Sequence, residues 1–360
     1  MLQGVEIEPL LSELIEAGGS DLHLKAGLPP IVRRDGQLHR AARPDVAPGE
    51  TQYLADTLLP DAKRDQLART GDAEIGISRD GLGRFRVSFF TEQGRVRLAI
   101  RRVWSETPTL EQLHLPPVVA TLAKEPRGLL LVTGEAGTGK TTTIASMIGL
   151  INRNRRCHIV TIEDPVEVVF EEELALIDQR ELGTDVESYA AGMKYVVRHD
   201  PDVIFIGEIR DQEAAEAALQ AAETGHLVIS TMHTTDATET VNRLIDLFPL
   251  GHNRQIRVAL ASALRGVISQ RLLPRSDGKG RVPAVEILVA TGRVRDRILD
   301  PAATEGLFQV IAEGSYYGMQ TFDQALITLV EQGVVSPDDA HLASSNPHDF
   351  ALALKQAQLA

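Results

Sequence analysis

Short apolar runs alternate with longer amphipathic stretches through the middle of the chain. Runs of four or five apolar residues predict buried strands, and the stretches between them have the spacing of helices. This alternation is typical of a parallel sheet with helices on both faces, so we predict a doubly wound α/β core. Strands and helices are predicted to alternate, starting with a strand, over residues 129–132, 142–150, 158–162, 188–197, 203–206, 213–222 and 227–230.

The first part of the chain has a different pattern, in which apolar and polar residues alternate singly. Residues 1–104 therefore predict a small α/β domain with an antiparallel meander. Its last strand, Arg95–Val103, has apolar residues on one face and arginines on the other. Asp35-Gly36 lies between two short strand-like segments and predicts a hairpin turn. The proline-containing residues 105–117 predict a linker, and 118–360 a second domain.

The last eighty residues are predicted to be helical, with an appended helical region from about residue 290. Apolar residues recur with helical spacing between Phe322 and Val330. Thr321 and Gln324 form a capping-box pattern in front of that segment. We predict that these helices pack as core, with subunit or partner contact as the alternative.

A glycine-rich segment lies between the first predicted strand of the core and its helix. It matches the pattern G-x-x-x-x-G-K-[ST], whose backbone N–H groups and following helix N-terminus bind phosphate. Lys140 would contact the β- and γ-phosphates, and the Thr141 hydroxyl would bind Mg²⁺. We therefore predict a nucleoside triphosphate site at residues Gly134, Glu135, Ala136, Gly137, Thr138, Gly139, Lys140, Thr141 and Thr142.

Polar residues follow the next three predicted strands. Glu163 comes after the strand 158–162, Glu208 after 203–206 and His233 after 227–230, which His226 precedes. The carboxyl ends of parallel strands meet at one edge of the sheet, where carboxylates can bind Mg²⁺ through water or activate a water molecule. A single acid at such a position is often only a helix cap. Three strands that end in polar groups beside one phosphate-binding loop indicate a catalytic site.

Composition limits the class of protein. The chain has 360 residues, which is typical of two domains, and 43% of them are hydrophobic. Its formal net charge of −13 argues against a nucleic-acid-binding protein, because such proteins present a basic surface. The single cysteine excludes an internal disulfide and a multi-cysteine zinc site. There is no apolar run long enough to span a membrane and no signal-peptide pattern, so a cytoplasmic location is predicted.

With these motifs, the chain resembles the type IV pilus retraction motors, the PilT-like members of the bacterial secretion ATPases. The resemblance extends over nearly the whole chain and includes an unusual Walker B segment, in which Glu208 replaces the usual terminal aspartate of the motif. The matching segments are 83–87, 127–134, 161–167 (an acidic box), 200–211 (Walker B), 224–235 (a histidine box) and 318–321.

This resemblance implies a fold, a cofactor set and an assembly. The N-terminal domain would be PAS-like, and the C-terminal domain would be a RecA-like P-loop ATPase with appended helices. ATP and Mg²⁺ would bind to a homo-hexameric ring. The ring would drive an inner-membrane pilus platform protein, alone or with a paralogous ATPase, from the cytoplasmic face of the membrane and without nucleic acid.

The resemblance also implies roles for individual residues. Glu208 would be the general base for the attacking water, and Glu163 would complete the network of water and metal. Both carboxylates would contact Mg²⁺ through water, and Thr141 would contact it directly. His233 would sense the γ-phosphate, and His226 would support the same end of the site.

Three arginines of the first domain are candidates for a role across a subunit boundary. The resemblance implies that arginines at the positions of Arg84, Arg86 and Arg101 stabilise charge on the transferred phosphoryl group, and guanidinium groups suit phosphate geometry. The alternative is an ordinary solvated strand face, which regularly spaced arginines usually indicate.

One segment departs from the retraction-motor pattern A-I-R-N-L-I-R-E. The matching residues 293–300 keep Arg295 and Ile298, whereas Arg297 and Leu299 exchange the apolar and basic positions of the pattern. ATP hydrolysis is therefore a firmer expectation than coupling to a standard platform.

The branches of the family differ in two sequence elements that this chain lacks. The cysteine-rich zinc element and long N-terminal region typical of extension and type II secretion ATPases are missing, which favours the retraction branch or its accessory paralogue. The alternatives are an extension or secretion motor, a slowly hydrolysing nucleotide-binding accessory subunit, and a nucleic-acid translocase, which the acidic charge disfavours.

Overall fold

The polypeptide separates into two units, each with its own hydrophobic core. A computed structural model describes residues 6–34, 37–103 and 107–359. The first unit comprises Met1–Glu106 and Pro165–Val169, and the second comprises Thr107–Asp164 and Phe170–Ala360. The turn predicted at Asp35-Gly36 and the first two residues of the predicted linker lie outside the described residues.

The first unit is an antiparallel sheet with helices packed on one face. Its strand order is β3-β2-β1-β6-β5-β4, and each described pair of neighbours is antiparallel. The predicted meander of the last three strands is confirmed. The elements are α1 Ile7–Glu16, β1 Asp21–Leu24, β2 Ile31–Arg34, β3 Gln37–Arg40, α2 Glu50–Leu58, α3 Asp61–Thr70, β4 Asp72–Arg79, β5 Gly83–Glu92 and β6 Arg95–Val103.

Apolar and polar residues alternate one by one along these strands, which gives the sheet one apolar and one polar face. Phe85 and Ile100 point into the core, where they pack with Leu11 and Leu14 of α1. The residues between them point to the opposite face, because successive side chains of a strand alternate. On that face Arg86 of β5 lies directly opposite Arg101 of β6.

The second unit is a seven-stranded sheet with helices on both faces, as predicted. Its strand order is β13-β12-β7-β11-β10-β8-β9, and β13 pairs antiparallel with β12 while the other described pairs are parallel. No helix of the described residues is long and apolar enough to cross a membrane. The helices and strands are α4 Pro117–Ala123, β7 Gly128–Thr133, α5 Lys140–Asn154, β8 His158–Glu163, β9 Leu176–Glu181, α6 Tyr189–Val196, β10 Val203–Ile206, α7 Gln212–Glu223, β11 Leu227–Met232, α8 Ala237–Asp246, α9 Asn253–Ala263, β12 Leu264–Pro274, β13 Arg281–Val289, α10 Gly292–Leu299, α11 Leu307–Ala312, α12 Phe322–Glu331, α13 Pro337–Ala343 and α14 Pro347–Leu359.

The apolar runs of this unit are continuous because its strands are covered on both faces. All six residues of β7 are buried. Leu129 and Leu131 belong to one hydrophobic cluster, whereas Leu130 and Val132 belong to the cluster on the other face, with Ile144 of α5. Each of the seven elements predicted for this core is present, with ends that differ by no more than a few residues.

The expectation that the last eighty residues are helical is wrong at their start. The strand β13 lies there and forms an antiparallel hairpin with β12. Neither this hairpin nor β9 was predicted. Polar residues interrupt the apolar runs of the hairpin at Ser269, Gln270 and Glu286, yet all three are buried. The edge strand β9 has Asp178 and Arg180 in place of a continuous apolar run.

The capping box predicted at the start of α12 is confirmed. Thr321 Oγ1 accepts a hydrogen bond from Gln324 N at 3.3 Å, and Gln324 Oε1 accepts one from Thr321 N at 2.9 Å. The helix then buries Phe322 and Leu326. Two backbone donors that the helix itself leaves unpaired are thus satisfied.

We expect Thr321→Ala to lower the free energy of unfolding by about 1 kcal/mol, because the variant loses the side-chain cap. The matched control is Thr328→Ala at an exposed position of the same helix, which we expect to change it by less than about 0.5 kcal/mol. Urea unfolding followed by circular dichroism measures both. Equal losses for the two variants would contradict the capping role.

Candidate active site

The predicted phosphate-binding loop lies at the carboxyl end of β7. The strand ends at Thr133, and α5 begins at Lys140. Between them Gly134, Gly137 and Gly139 have φ angles of 141°, 79° and 90°. Residues that carry a side chain rarely adopt φ angles in this positive range. The conformation of the loop therefore requires glycine at these three positions.

The loop also lies very close to the neighbouring strand β12. A Cβ atom at Gly134 would lie 2.5 Å from Gln270 O and 2.8 Å from Thr138 Oγ1. A Cβ atom at Gly139 would lie 3.0 Å from Gln270 Nε2. The two outer glycines are therefore needed for packing as well as for backbone conformation.

Lys140 lies inside the curve of the loop. Its side chain is buried, and Nζ donates hydrogen bonds to Gly134 O and Glu135 O, both at 2.7 Å. Thr141 is half-buried and Thr142 exposed in the first turn of α5. An ammonium group, a hydroxyl and the N–H groups of a helix N-terminus form a donor set that fits phosphate.

Glu163 ends the strand β8 beside this loop edge. It is 6% exposed, and its Oε1 accepts hydrogen bonds from Thr161 Oγ1 at 2.6 Å and from Gln179 Nε2 at 3.2 Å. Thr161 and Gln179 are register partners in the parallel pair β8–β9. The carboxylate is thus held in a fixed orientation by its own strand and by the next one.

Glu208 and His233 come together where β10 and β11 end. Glu208 Oε2 accepts a hydrogen bond from Arg210 Nε at 2.6 Å, and its Oε1 lies 3.3 Å from His233 Nε2. The hydrogen bond with Glu208 raises the pKa of Arg210. The side chain of Glu208 is 13% exposed and that of His233 49%. The structure therefore places a nearly buried carboxylate against a solvent-accessible imidazole.

Neighbouring strands hold the turn that carries Glu208. Thr231 Oγ1 donates to Gly207 O at 2.6 Å, and Ile209 N donates to Thr231 O at 3.0 Å. Tyr189 of α6 packs on the other side, because a Cβ atom at Gly207 would lie 2.6 Å from its hydroxyl. Burial, reinforced by Asp164, raises the pKa of Tyr189, so its phenol stays protonated.

His226 does not reach this edge within the chain. It directly precedes β11, and its Nδ1 lies 2.9 Å from Ala221 O and 3.3 Å from Thr224 Oγ1. The parallel register pairs Leu227 with the first residue of β7, at the end of the strand away from the phosphate loop. Roughly 20 Å of extended chain separates His226 from His233. The expectation that His226 supports the same end of the site is therefore not met inside this subunit.

The three candidate arginines share the polar face of the first unit. Arg86 is paired with Glu74, with Nη2 2.8 Å from Oε2, and its Nη1 lies 3.7 Å from Glu167 Oε1. Arg101 Nε donates to Asp21 Oδ1 at 2.8 Å, and Arg84 Nη1 donates to Ser78 Oγ at 3.3 Å. The side chain of Arg101 is 67% exposed and that of Arg86 31%. Carboxylates thus orient the guanidinium groups of Arg86 and Arg101.

Sequence reasoning missed the buried polar residues of the β12–β13 hairpin. Gln270 contacts the phosphate loop, and Ser269 Oγ accepts a hydrogen bond from Thr133 Oγ1 at 2.9 Å. Glu286 Oε1 accepts one at 2.9 Å from Ala237 N, the first residue of the helix that follows His233. Polar residues inside otherwise apolar runs were the available signal.

The comparisons with known proteins agree with this geometry. The profile of the type II/IV secretion system protein family matches residues 5–348. The type IV pilus ATPase PilU of Pseudomonas aeruginosa is 37% identical over 98% of this chain and 92% of its own. The type IV pilus retraction ATPase PilT of the same organism is 37% identical over 96% of this chain and 100% of its own. A crystal structure of the pilus retraction motor PilT with bound ADP superposes with a TM-score of 0.86 at 43% identity, covering 96% of this chain and 98% of that one.

We expect the stability of the protein to depend on pH through Glu286. Burial raises the pKa of this carboxyl group from 4.5 to about 7 in the folded state, although the hydrogen bond from Ala237 opposes the shift. The folded state therefore binds the proton more tightly. The stabilisation of the folded state by protonated Glu286 is complete below about pH 4.5. It is lost as the pH rises through 7.

Glu286→Gln should remove this fall in stability, which is at most about 3 kcal/mol between pH 5 and pH 8. Urea unfolding of the variant and the wild type at a series of pH values measures the difference. Glu305→Gln, at an exposed position, is the control. Parallel pH curves for wild type and Glu286→Gln would contradict a protonated Glu286.

Proposed function

This chain belongs to the type II/IV secretion system protein family of P-loop ATPases, and we propose that it is the hexameric, ATP-hydrolysing motor of type IV pilus retraction. It is a type IV pilus ATPase of the PilT and PilU kind. The proposal that the chain hydrolyses ATP rests on one observation. Glu208 lies against His233 at the edge of the sheet where the phosphate loop also lies. A protein that only bound nucleotide would not need this pair.

We assign general-base catalysis to Glu208. Its two oxygens have different neighbours, because Arg210 holds Oε2 whereas Oε1 faces His233. The fixed carboxylate can accept a proton from a water molecule near Oε1. His233, which is half exposed beside it, is placed to respond to the γ-phosphate.

The site suits Mg²⁺ bound mainly through water. Within residues 6–34, 37–103 and 107–359, no group of three or more His, Cys, Asp or Glu side chains could hold a metal directly. Magnesium prefers oxygen ligands and usually keeps several waters. The Thr141 hydroxyl would hold the ion, with Glu163 and Glu208 in contact through water. The bound ion would supply neutralising charge for the phosphates.

We propose a homo-hexamer in which arginines of the first unit act on a neighbouring subunit's nucleotide. Arg84, Arg86 and Arg101 lie on one face, and guanidinium groups there can stabilise charge that develops on the phosphoryl group. Glu74 and Asp21 hold two of them in place.

The proposed mechanical partner is an inner-membrane pilus platform protein, which would recruit the ring to the cytoplasmic face of the membrane. The segment 293–300, which differs from the retraction-motor pattern, lies in α10 up to Leu299, and Val294 and Ile298 are buried there. The residue Leu299 is 45% exposed, and Arg295 is also exposed. The exchange between Arg297 and Leu299 therefore alters the outer surface of α10, which we propose as the surface for coupling. Nucleic acid has no place in the proposal, because the chain has a net charge of −13.

The similarity to PilU supports a second candidate function. PilU and PilT of Pseudomonas aeruginosa are equally similar to this chain, at 37% identity. The chain could accordingly be a nucleotide-binding accessory subunit of a paralogous motor that hydrolyses ATP slowly. An extension or secretion motor of the same family is the further alternative. Turnover by the purified chain alone separates the motor from the accessory subunit.

We expect Glu208→Gln to lower ATP turnover at least 100-fold, since the amide cannot accept the proton. ATP binding and ring size should be unchanged, as measured by nucleotide titration and light scattering on the same samples. Glu213→Gln is the matched control, because Glu213 is exposed in the first turn of α7. A wild-type ring that binds ATP without turnover would refute the motor, and undiminished turnover by Glu208→Gln would refute the base.

We expect Arg101→Ala to reduce turnover at least tenfold while the affinity for ADP stays within about threefold. ADP lacks the γ-phosphoryl group on which the arginine would act. Arg95→Ala, an exposed position at the start of the same strand, should have neither effect. Equal turnover for the two variants would support a solvated strand face instead.

A further inference from the structure

We infer that Gln270 is a positioning residue that holds the phosphate-binding loop in its binding conformation. This inference rests on the proposed function, because it concerns the loop that would bind ATP. Gln270 belongs to β12, the strand next to the one that leads into the loop. It is 2% exposed and lies well away in sequence from the residues it contacts.

Both ends of the Gln270 amide are hydrogen-bonded. Its Nε2 donates to Thr138 O in the loop at 2.8 Å, and its Oε1 accepts from Thr143 Oγ1 in α5 at 2.9 Å. The carbonyl of Thr138 can only accept, so it requires the nitrogen end of the amide. One side chain therefore connects the loop to the helix that follows it.

The contact with Thr138 fixes the direction of a phosphate-binding donor. In a planar trans peptide the C=O and N–H groups point in opposite directions. Holding the Thr138 carbonyl toward Gln270 therefore turns the N–H of Gly139 away from β12. Backbone N–H groups at this position are the ones that bind phosphate in such loops.

The glycines of the loop make this contact possible. The Gln270 side chain and backbone occupy the space that a Cβ atom would need at Gly139 and at Gly134. These two glycines and Gln270 thus form one packed unit. A glycine-rich loop has little conformational preference of its own, so hydrogen bonds to its carbonyl groups select its conformation, and Gln270 supplies the one to Thr138 O.

The chemistry of the side chain distinguishes positioning from simple core packing. Glutamate has nearly the shape of glutamine, but it has no N–H group to give to Thr138. A carboxylate oxygen would then face the half-buried Thr138 carbonyl oxygen without a hydrogen bond, which costs the loop its conformation. A residue that only filled the core would tolerate this change with regard to nucleotide affinity.

The test is titration of the full-length protein with ADP. Gln270→Glu should weaken ADP binding at least tenfold and raise KM for ATP by a similar factor, with a smaller change in kcat. Asn152→Ala is the matched control, since Asn152 is also a buried amide and its Nδ2 donates to Glu171 O at 2.8 Å, near the end of α5 away from the loop. It should lower the unfolding midpoint but leave the dissociation constant of ADP within threefold.

A second pair of variants tests the other end of the amide. Thr143→Val removes the hydroxyl that holds Oε1 and should weaken ADP binding severalfold, whereas Thr143→Ser keeps the hydroxyl and should restore it. This pair also decides the matter if Gln270→Glu does not fold. If the dissociation constant of ADP stays within threefold of wild type in Thr143→Val and in any Gln270→Glu protein that folds, the inference is overturned. The proposed function would still stand. A wild-type chain that binds no ADP would overturn the proposed function together with the inference.

Discussion

The site depends on the close packing of the phosphate-binding loop against strand β12. At Gly134 this packing leaves 2.5 Å between a hypothetical Cβ atom and Gln270 O, so a side chain there would have to displace the backbone of β12. The loop cannot move away without breaking the hydrogen bonds of the Gln270 amide. The bond from Thr143 to the amide is buried, so little water can replace it when it breaks. The geometry of the loop is therefore set by a strand that lies far from it in sequence.

The same constraint recurs along the sheet edge. Two polar positions are held by hydrogen bonds from a neighbouring strand, since Thr231 holds Gly207 and Gln179 holds Glu163. Parallel register brings these positions to one edge, and the cross-strand bonds then fix their direction. A site made of groups from the ends of separate strands can be rigid in this way. Rigid placement is what a base and a phosphate loop need in order to act on the same molecule.

Local patterns predicted most of the fold and the main candidate residues. The loop, Glu163, Glu208 and His233 could be found because each comes within a few residues of the end of an apolar run, and parallel topology places such residues together. Gln270 could not be assigned this way, since its contact with Thr138 spans 132 positions. The role predicted for His226 does not agree with its position for the opposite reason, because residues that are close in sequence lie far apart in the fold. His226 is close to His233 in sequence, but the six residues of β11 carry it to the other edge. Pattern identifies elements, whereas the pairing of distant strands decides which side chains meet.

The charge at the phosphate-binding loop differs from the net charge of the whole chain. The chain has a net charge of −13, yet the loop is built to bind an anion. Lys140 and the N-terminus of α5 supply positive potential at the loop itself, where burial reduces screening by solvent. In the first unit, acidic residues accompany the arginines and orient them, as Asp21 does for Arg101. The acidic total therefore argues against a long polyanion as partner, because such a partner needs a broad basic surface. It does not argue against a small, highly charged ligand, which a few oriented donors can bind.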